Sequence, residues 1–510
     1  MKKNSKLLFL ILVIIVSLPS IIGLLHLGFP STDDGNWMII RFSAFFENLR
    51  NGQFPVRFLT RLNYGFGYPV ADFLYPLFMY IGVPIHVLGF SFVNTIKIIL
   101  GLSLIFSSIF TYLWLRKIFD NISSAIGSVF YTLFPYHLFD VYKRGSVGEV
   151  LSLTILPFIL WQIERKSLFL TSLGIALLIV SHNTLALLFT PLIIGYIFLR
   201  NKRFSKFNLL SFIFGLGISS FYWIPALYDS QYTVFSKTQV SDFSSYFINN
   251  NLGILGLSLG FLILESIFYL IRKKDKMFSI LLLTVLVISF LSLSFSELLW
   301  KLFPFTNLIQ FPFRIISIII PLSAFMIAYL LNKENLQKKY LLSVIYLIII
   351  FIAAAPFLFP KEYQYYPDTF YSTNQDTTTV RNEYMPKWVK EIPTSMYKSK
   401  VEVINGGETP QILVQNANKT SFNLTLEDKR TVQVNTVYFP GWKVRVDGKE
   451  VPISYENENG LIRFFVNPGR HFINISFGET PLRILADLVS FVSLIILFLL
   501  AIKNRRVFRK

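Results

Sequence analysis

Long apolar runs alternate with short basic links along most of this chain. A membrane-crossing helix needs about 20 mostly apolar residues. Twelve runs answer to that, near residues 7–28, 94–115, 121–138, 150–163, 167–182, 184–200, 207–228, 251–271, 277–295, 311–331, 339–359 and 482–502. A further run, Tyr75–Phe90, is short and punctuated by Pro76 and Pro84, and reads as a re-entrant or interfacial segment. Beyond about residue 400 the period changes from helical to alternating. Phe422/Leu424/Leu426, Val432/Val434, Trp442/Val444/Val446 and Ile462/Phe464/Val466 each point every second residue to one face, and Asp447-Gly448 is a two-residue hairpin signal. The pattern therefore predicts an α-helical polytopic membrane protein of about 12 spans with a C-terminal, extracytoplasmic antiparallel β-sandwich. Residues 1–359 form the transmembrane domain, with a long first outer loop at 29–93. Residues 360–480 form the β-rich domain, opening with an irregular lead-in to about Tyr397. Residues 481–510 supply a last span and a basic cytoplasmic tail.

Composition agrees. Hydrophobic residues make up 53% of the 510 and charged residues only 15%, against about 25% charged in soluble domains. With no cysteine, disulfides, thiolate zinc sites and cysteine nucleophiles are excluded. The net charge of +19 changes the picture only once it is mapped. The stretch 361–480 is neutral, and the excess lies in links such as Arg116/Lys117, Arg200/Lys202/Arg203/Lys206, Arg272/Lys273/Lys274/Lys276, Lys333/Lys338/Lys339 and the tail Lys503/Arg505/Arg506/Arg509/Lys510. Short basic links mark the cytoplasmic side, so the charge is read as topology and not as a nucleic-acid surface. Placing every cluster inside puts both termini in the cytoplasm of a multi-pass plasma-membrane protein. The first loop, the short links near 136–150 and 181–184, the loops 229–250 and 296–314, and the β-domain then lie outside.

The first loop carries the clearest candidate chemistry. Asp33 and Asp34 follow the first span directly, and Asp34 stands where it can cap a helix. In that helix Met38, Phe42, Phe45, Phe46 and Leu49 form one apolar stripe while Asn36, Ser43, Glu47 and Arg50 face away, the pattern of a helix lying along a membrane surface. Besides capping, two adjacent carboxylates offer a general base or ligands for a hard divalent cation, Mg or Mn. The string Asn63-Tyr64-Gly65-Phe66-Gly67-Tyr68-Pro69 then makes a rigid aromatic turn.

An outer loop that opens with Asp-Asp-Gly, continues through an interfacial helix and a Gly-x-x-Pro-x-Arg stretch, and ends in a Pro-rich aromatic segment resembles the GT-C superfamily of integral-membrane glycosyltransferases. The Asn63–Tyr68 string with Tyr75-Pro76-Leu77 is similar to the membrane proteins called 6-pyruvoyl-tetrahydropterin synthase-related, although nothing here resembles a soluble pterin synthase. The segment Tyr438–Lys449 resembles the tail domain of YfhO-like bacterial membrane proteins. The resemblance implies a sugar donor on a polyprenyl-phosphate carrier, an envelope acceptor, and Asp34 or Asp33 as the catalytic carboxylate.

Other polar groups cluster at span mouths on the same predicted side: His137 after Pro135-Tyr136, Arg144 and Glu149, His182 in Ser181-His182-Asn183, and Arg314 in Gln310-Phe311-Pro312-Phe313-Arg314. Ionisable residues at such mouths face polar cavities, and the arginine fork suits phosphate. Arg314, Arg144, His137, His182, Tyr64 and Glu149 thus form the candidate substrate-binding set. The bland alternatives are interfacial snorkelling for the arginines and helix-end hydrogen bonding for the histidines. Trp442 reads as a core residue, with sugar stacking as the alternative. No nucleotide-binding loop is present. The expected function is inverting sugar transfer from a polyprenyl-phosphate carrier at the outer face. The alternative is a non-catalytic membrane protein that transports or scaffolds envelope glycolipids.

Overall fold

The computed structural model describes residues 2–235, 243–303, 309–376 and 382–507. Parts of the loops 229–250 and 296–314, part of the lead-in, and the tail residues Arg509 and Lys510 lie outside the described residues. So do the side chains of Lys2, Lys3, Arg505 and Arg506.

Each of the twelve apolar runs is helical over most of its length. Among the described residues, seven helices are long and apolar enough to cross a membrane: Lys6–Leu25, Phe92–Leu115, Val147–Glu164, Asn183–Asn201, Pro312–Lys333, Leu336–Leu358 and Pro481–Lys503. Two bent pairs raise the number to nine, Lys206–Ile218 with Ser220–Tyr232 at 64° and Lys276–Leu291 with Ser294–Leu302 at 86°. The remaining runs appear as the shorter helices Asn121–Leu133, Leu168–Ser181 and Gly256–Arg272. The Leu77–Val87 helix has 11 residues, about 16 Å of rise, roughly half of a bilayer core.

Several helices start where the sequence supplies a cap. Ser91 accepts from the Asn94 amide at 3.0 Å, and Asp120 accepts from the Ser123 amide at 3.0 Å. Small residues let them approach. A Cβ on Gly127 would fall 2.6 Å from the Ala324 carbonyl oxygen, so the Asn121–Leu133 helix lies directly against the Ile319–Lys333 helix. The basic links gather at one end of the bundle. There Lys339 meets Asp120 at 2.7 Å and Arg200 meets Glu164 at 2.9 Å.

At the other end the first loop and the β-domain pack together. The Gly35–Arg50 helix differs from the sequence expectation of a helix lying open on a membrane surface. Its residues 38–45 are buried all round, because the lead-in covers its polar face. Ser43 donates to the Tyr371 carbonyl at 2.6 Å, and the Tyr371 hydroxyl donates to Asn36 at 3.1 Å. A short ladder pairs β1 (Phe29–Pro30) with β2 (Tyr363–Gln364).

The sandwich has β3 (Val401–Ile404), β4 (Gln411–Asn416), β5 (Lys419–Leu426), β6 (Arg430–Val437), β7 (Trp442–Val446), β8 (Lys449–Val451), β9 (Leu461–Val466) and β10 (Gly469–Phe477). One sheet has the order β4-β5-β10-β7-β8 and the other β3-β6-β9, with all pairs antiparallel. Asp447 and Gly448 take φ of 51° and 82°, the left-handed pair a two-residue hairpin needs. Between the sheets lie Phe422, Leu424, Val432, Val444, Ile462, Phe464 and Ile473, joined by Phe58 and Phe73 of the first loop. Trp442, 7% exposed, is part of this core.

A largely buried chain of ion pairs ties the first loop to the last helix and to the end of the Ser220–Asp229 helix. Arg57 meets Asp72 at 3.4 Å, Glu479 at 3.2 Å and Asp487 at 3.3 Å, and Arg483 meets Asp72 at 3.5 Å and Asp229 at 2.9 Å.

Candidate functional site

The site forms where the loop after the first span meets the π-helical turn Asp140–Arg144. Gly145 closes that turn at φ +67°, and a Cβ there would fall 2.5 Å from Thr32 Oγ1, so only glycine permits the approach. The main chains lock together: the Asp33 amide donates to the Lys143 carbonyl at 3.0 Å, and the Asp34 amide to the Arg144 carbonyl at 2.8 Å.

Asp34 occupies the N-cap position, yet its side chain makes no capping hydrogen bond. Thr32 Oγ1 accepts from the Gly35 amide instead, at 3.1 Å. The capping role expected from the sequence is therefore corrected: the Asp34 carboxylate is turned to Arg144, whose Nη2 lies 3.2 Å away. Arg144 also pairs through Nη1 with Glu149 Oε1. The same oxygen takes hydrogen bonds from Arg314, with Nε and Nη2 each at 3.0 Å. Arg314 Nη1 is spent on the Ile309 carbonyl at 2.7 Å and Gln310 Oε1 at 3.1 Å. Both guanidinium groups lie over the Phe311 ring, at 5.3 and 4.9 Å, where the ring face favours a cation. Asp34, Arg144, Glu149 and Arg314 thus form one continuous chain of contacts.

Glu149 is fully buried, the two arginines are nearly so, and the Asp34 side chain is 37% exposed. Asp34 is the open end of the chain, and Glu149 the closed centre. His182 stands with Nε2 3.9 Å from Glu149 while its Nδ1 accepts from the Leu185 amide at 3.3 Å. Asp33 faces outward and pairs with Lys143 at 3.1 Å.

Two predicted residues are not brought into this chain. His137 turns to the Tyr131 carbonyl, 3.3 Å from Nδ1. The Tyr64 amide donates to the Gln375 carbonyl at 3.0 Å, and its side chain packs beside Phe66, Val437 and Leu461 under the sandwich.

Four residues join that the sequence did not mark as site candidates. Asp140 is fully buried 3.8 Å from Arg144, and among the described residues neither of its oxygens has a hydrogen-bond partner. Arg41 lies buried in the helix that Asp34 precedes. Tyr75 packs against His182, the two rings tilted by 35°. Glu383 reaches in from the lead-in, and burial, with Asp34 adding to it, holds its carboxyl above the ordinary range. The available signal was a charged residue inside an apolar stretch, as at Arg41 in Trp37–Phe42 and Asp140 in Tyr136–Tyr142.

A divalent cation fits this donor set poorly. Each of the two adjacent carboxylates already holds a cationic side chain, and among the described residues no group of three or more His, Asp or Glu is placed to hold a metal.

Long apolar helices, a charged chain at one bundle end and a sandwich packed over that end define an integral membrane protein. Its sequence profile match is specific: residues 72–359 match the 6-pyruvoyl-tetrahydropterin synthase related domain, a membrane-protein family, and the chain belongs to that family. No curated protein sequence matches the chain. Among solved structures it is similar to GT-C glycosyltransferases. The arabinofuranosyltransferase AftD from Mycobacteria is 16% identical with a TM-score of 0.45, over 70% of this chain and 26% of that one. The Archaeoglobus fulgidus oligosaccharyltransferase tethered with an acceptor peptide is 12% identical with a TM-score of 0.48, over 74% and 60%. ArnT from Cupriavidus metallidurans, bound to undecaprenyl phosphate, is 13% identical with a TM-score of 0.43, over 73% and 68%. The chain thus spans about a quarter of the mycobacterial enzyme and about 60% of the archaeal one.

Proposed function

We propose that this protein is a membrane glycosyltransferase that moves a sugar from a polyprenyl-phosphate carrier to an envelope acceptor at the outer face of the plasma membrane, with both termini in the cytoplasm. The observation that carries the reading is the chain Asp34–Arg144–Glu149–Arg314. It sets a partly exposed carboxylate and two phosphate-suited guanidinium groups side by side at one bundle end.

In this reading the acceptor oxygen attacks the anomeric carbon and its proton passes to Asp34. The bond from that carbon to the phosphate oxygen breaks, the electron pair leaves with the phosphate, and Arg144 and Arg314 hold the charge that develops. Attack opposite the leaving group inverts the anomeric centre. Asp33, exposed and paired with Lys143, stands at the acceptor side.

One observation favours the alternative of a non-catalytic glycolipid scaffold or transporter. Asp34, Asp140 and Glu149 already outnumber the two arginines, and Glu149 sits between them without access to solvent. Mass spectrometry of envelope glycans separates the two readings, comparing a deletion strain complemented with the wild-type chain and with Asp34→Asn. The glycosyltransferase reading expects a glycan lost on deletion and not restored by Asp34→Asn. Full restoration by that variant, and by Asp33→Asn, leaves the scaffold.

A further inference from the structure

Tyr75 sits in a slot shaped to its ring. It precedes Pro76 and the Leu77–Val87 helix and is 8% exposed. One face packs on the His182 imidazole, with ring centroids 4.6 Å apart. The edge lies against Gly148, inside the Val147–Glu164 helix. A Cβ built on Gly148 would collide with Tyr75 Cε2, fall 2.7 Å from its Cδ2 and fall 2.5 Å from the Ser181 carbonyl oxygen. Glycine is ordinarily unfavourable within a helix, and here it is what leaves room for the ring.

The far end of the ring is polar ground. Asp34, Glu149, Arg41 and Arg314 all act on the Tyr75 hydroxyl, and burial together with the two carboxylates holds it above the ordinary phenol range. It is therefore neutral and able to donate. Among the described residues no hydrogen bond to it is formed. The ring is nearly buried while the hydroxyl keeps access to the solvent side of the pocket, so a partner from outside the chain can reach it.

We propose that Tyr75 is a substrate-binding residue of this site, with Gly148 and His182 fixing its ring so that its hydroxyl donates to an anionic phosphate oxygen of a lipid-linked donor between Asp34 and Arg314. The inference rests on the glycosyltransferase reading and adds a contact that reading does not contain.

The test is binding of undecaprenyl phosphate to the purified full chain in detergent, followed by intrinsic tryptophan fluorescence, with thermal melting recorded in parallel. Tyr75→Phe is expected to melt like the wild type and to bind about 10- to 100-fold more weakly, the usual effect of losing a hydrogen bond to a charged group. Gly148→Ala, which keeps the hydroxyl but displaces the ring, is expected to weaken binding as well. Wild-type affinity in Tyr75→Phe overturns the Tyr75 assignment and leaves the glycosyltransferase reading standing. No binding by the wild-type chain overturns both. If Gly148→Ala does not fold, Tyr75→Phe alone decides.

Discussion

Phe58 and Trp442 meet edge to face, ring centroids 5.6 Å apart and planes at 89°, so a residue of the first loop closes the core of a sandwich that begins more than 300 positions later. Such a contact is worth more than the area it buries. Phe58→Ala is expected to destabilise the domain by about 3–5 kcal/mol, read as a lower melting temperature of the purified chain. The isolated segment 401–477 lacks both Phe58 and Phe73. It is expected to give strand-type circular dichroism and to melt below the intact protein. A helical spectrum would refute the sandwich.

Glu149 holds two guanidinium groups in a place without water. Glu149→Gln removes the charge and leaves both cations short of a partner, a change that costs about 3–5 kcal/mol for a buried pair. The expected result is a chain that reaches the membrane in reduced amount and melts early. A melt equal to wild type would mean that Asp34 and Asp140 alone neutralise the arginines.

Asp34→Asn is expected to leave stability nearly unchanged, because Thr32 and not Asp34 accepts from the first free amide of the helix. Sugar transfer should fall by about 10²–10⁴-fold, the contribution of a positioned general base. Arg314→Lys should weaken donor use more than folding, since a point charge replaces a fork. Unchanged transfer in Asp34→Asn would remove the base from the mechanism.

Topology is checked by cysteine labelling, made simple by the absence of native cysteine. Asn63 is unsuitable as a reporter because it is fully buried. Glu456 and Lys117 are exposed. With twelve spans and both ends inside, Glu456→Cys should react with an impermeant reagent in intact cells and Lys117→Cys only after lysis. Labelling of Lys117→Cys from outside would reverse the assignment.

The β7–β8 hairpin carries a pH signature. His471 Nδ1 lies 2.6 Å from Asp447 Oδ2. That bond raises His471 above its ordinary value of 6.5 and lowers Asp447 below its ordinary 3.8. The histidine's contribution to stability is complete below pH 6.5 and is lost as pH rises through its raised value. The carboxylate's contribution is present above pH 3.8 and is lost as pH falls through its lowered value. The contact is therefore tightest between the two. Asp447→Asn, which still accepts the left-handed turn, should bring His471 back toward 6.5 in an NMR titration. An unmoved titration would show that the pair is not formed.

Much of this architecture is local, and local features are legible in a sequence. Alternation marks β5, β6, β7 and β9, Asp447-Gly448 marks their hairpin, and the convergence of Asp34, Arg144 and Arg314 follows from span mouths sharing one face. What the sequence did not disclose depends on partners distant in the chain. The polar face of the Gly35–Arg50 helix reads as exposed because the residues that cover it, Gln364 and Tyr371, arrive some 330 positions later. Asp140 looks like an ordinary residue beside an apolar run, and Tyr75 like part of a family string with no assigned role, until Arg144 and Gly148 are placed against them. Tyr64 and His137 show the converse: conspicuous strings whose side chains serve packing.

The Arg57–Asp72–Arg483–Asp229 chain of ion pairs also sets an order of events during synthesis. Asp72 leaves the ribosome 411 residues before Arg483 does, so the first loop must wait in an incomplete state while every intervening span is threaded. Only when the last helix begins to emerge can the Pro69–Asp72 turn, and with it the nearby Tyr75, be fixed. Contacts of such separation are slow to form. The joint between the first loop and the last helix is thus among the last parts of the molecule to form, and a ribosome that stalls in the sandwich would leave the bundle one helix short and Asp72 without Arg483.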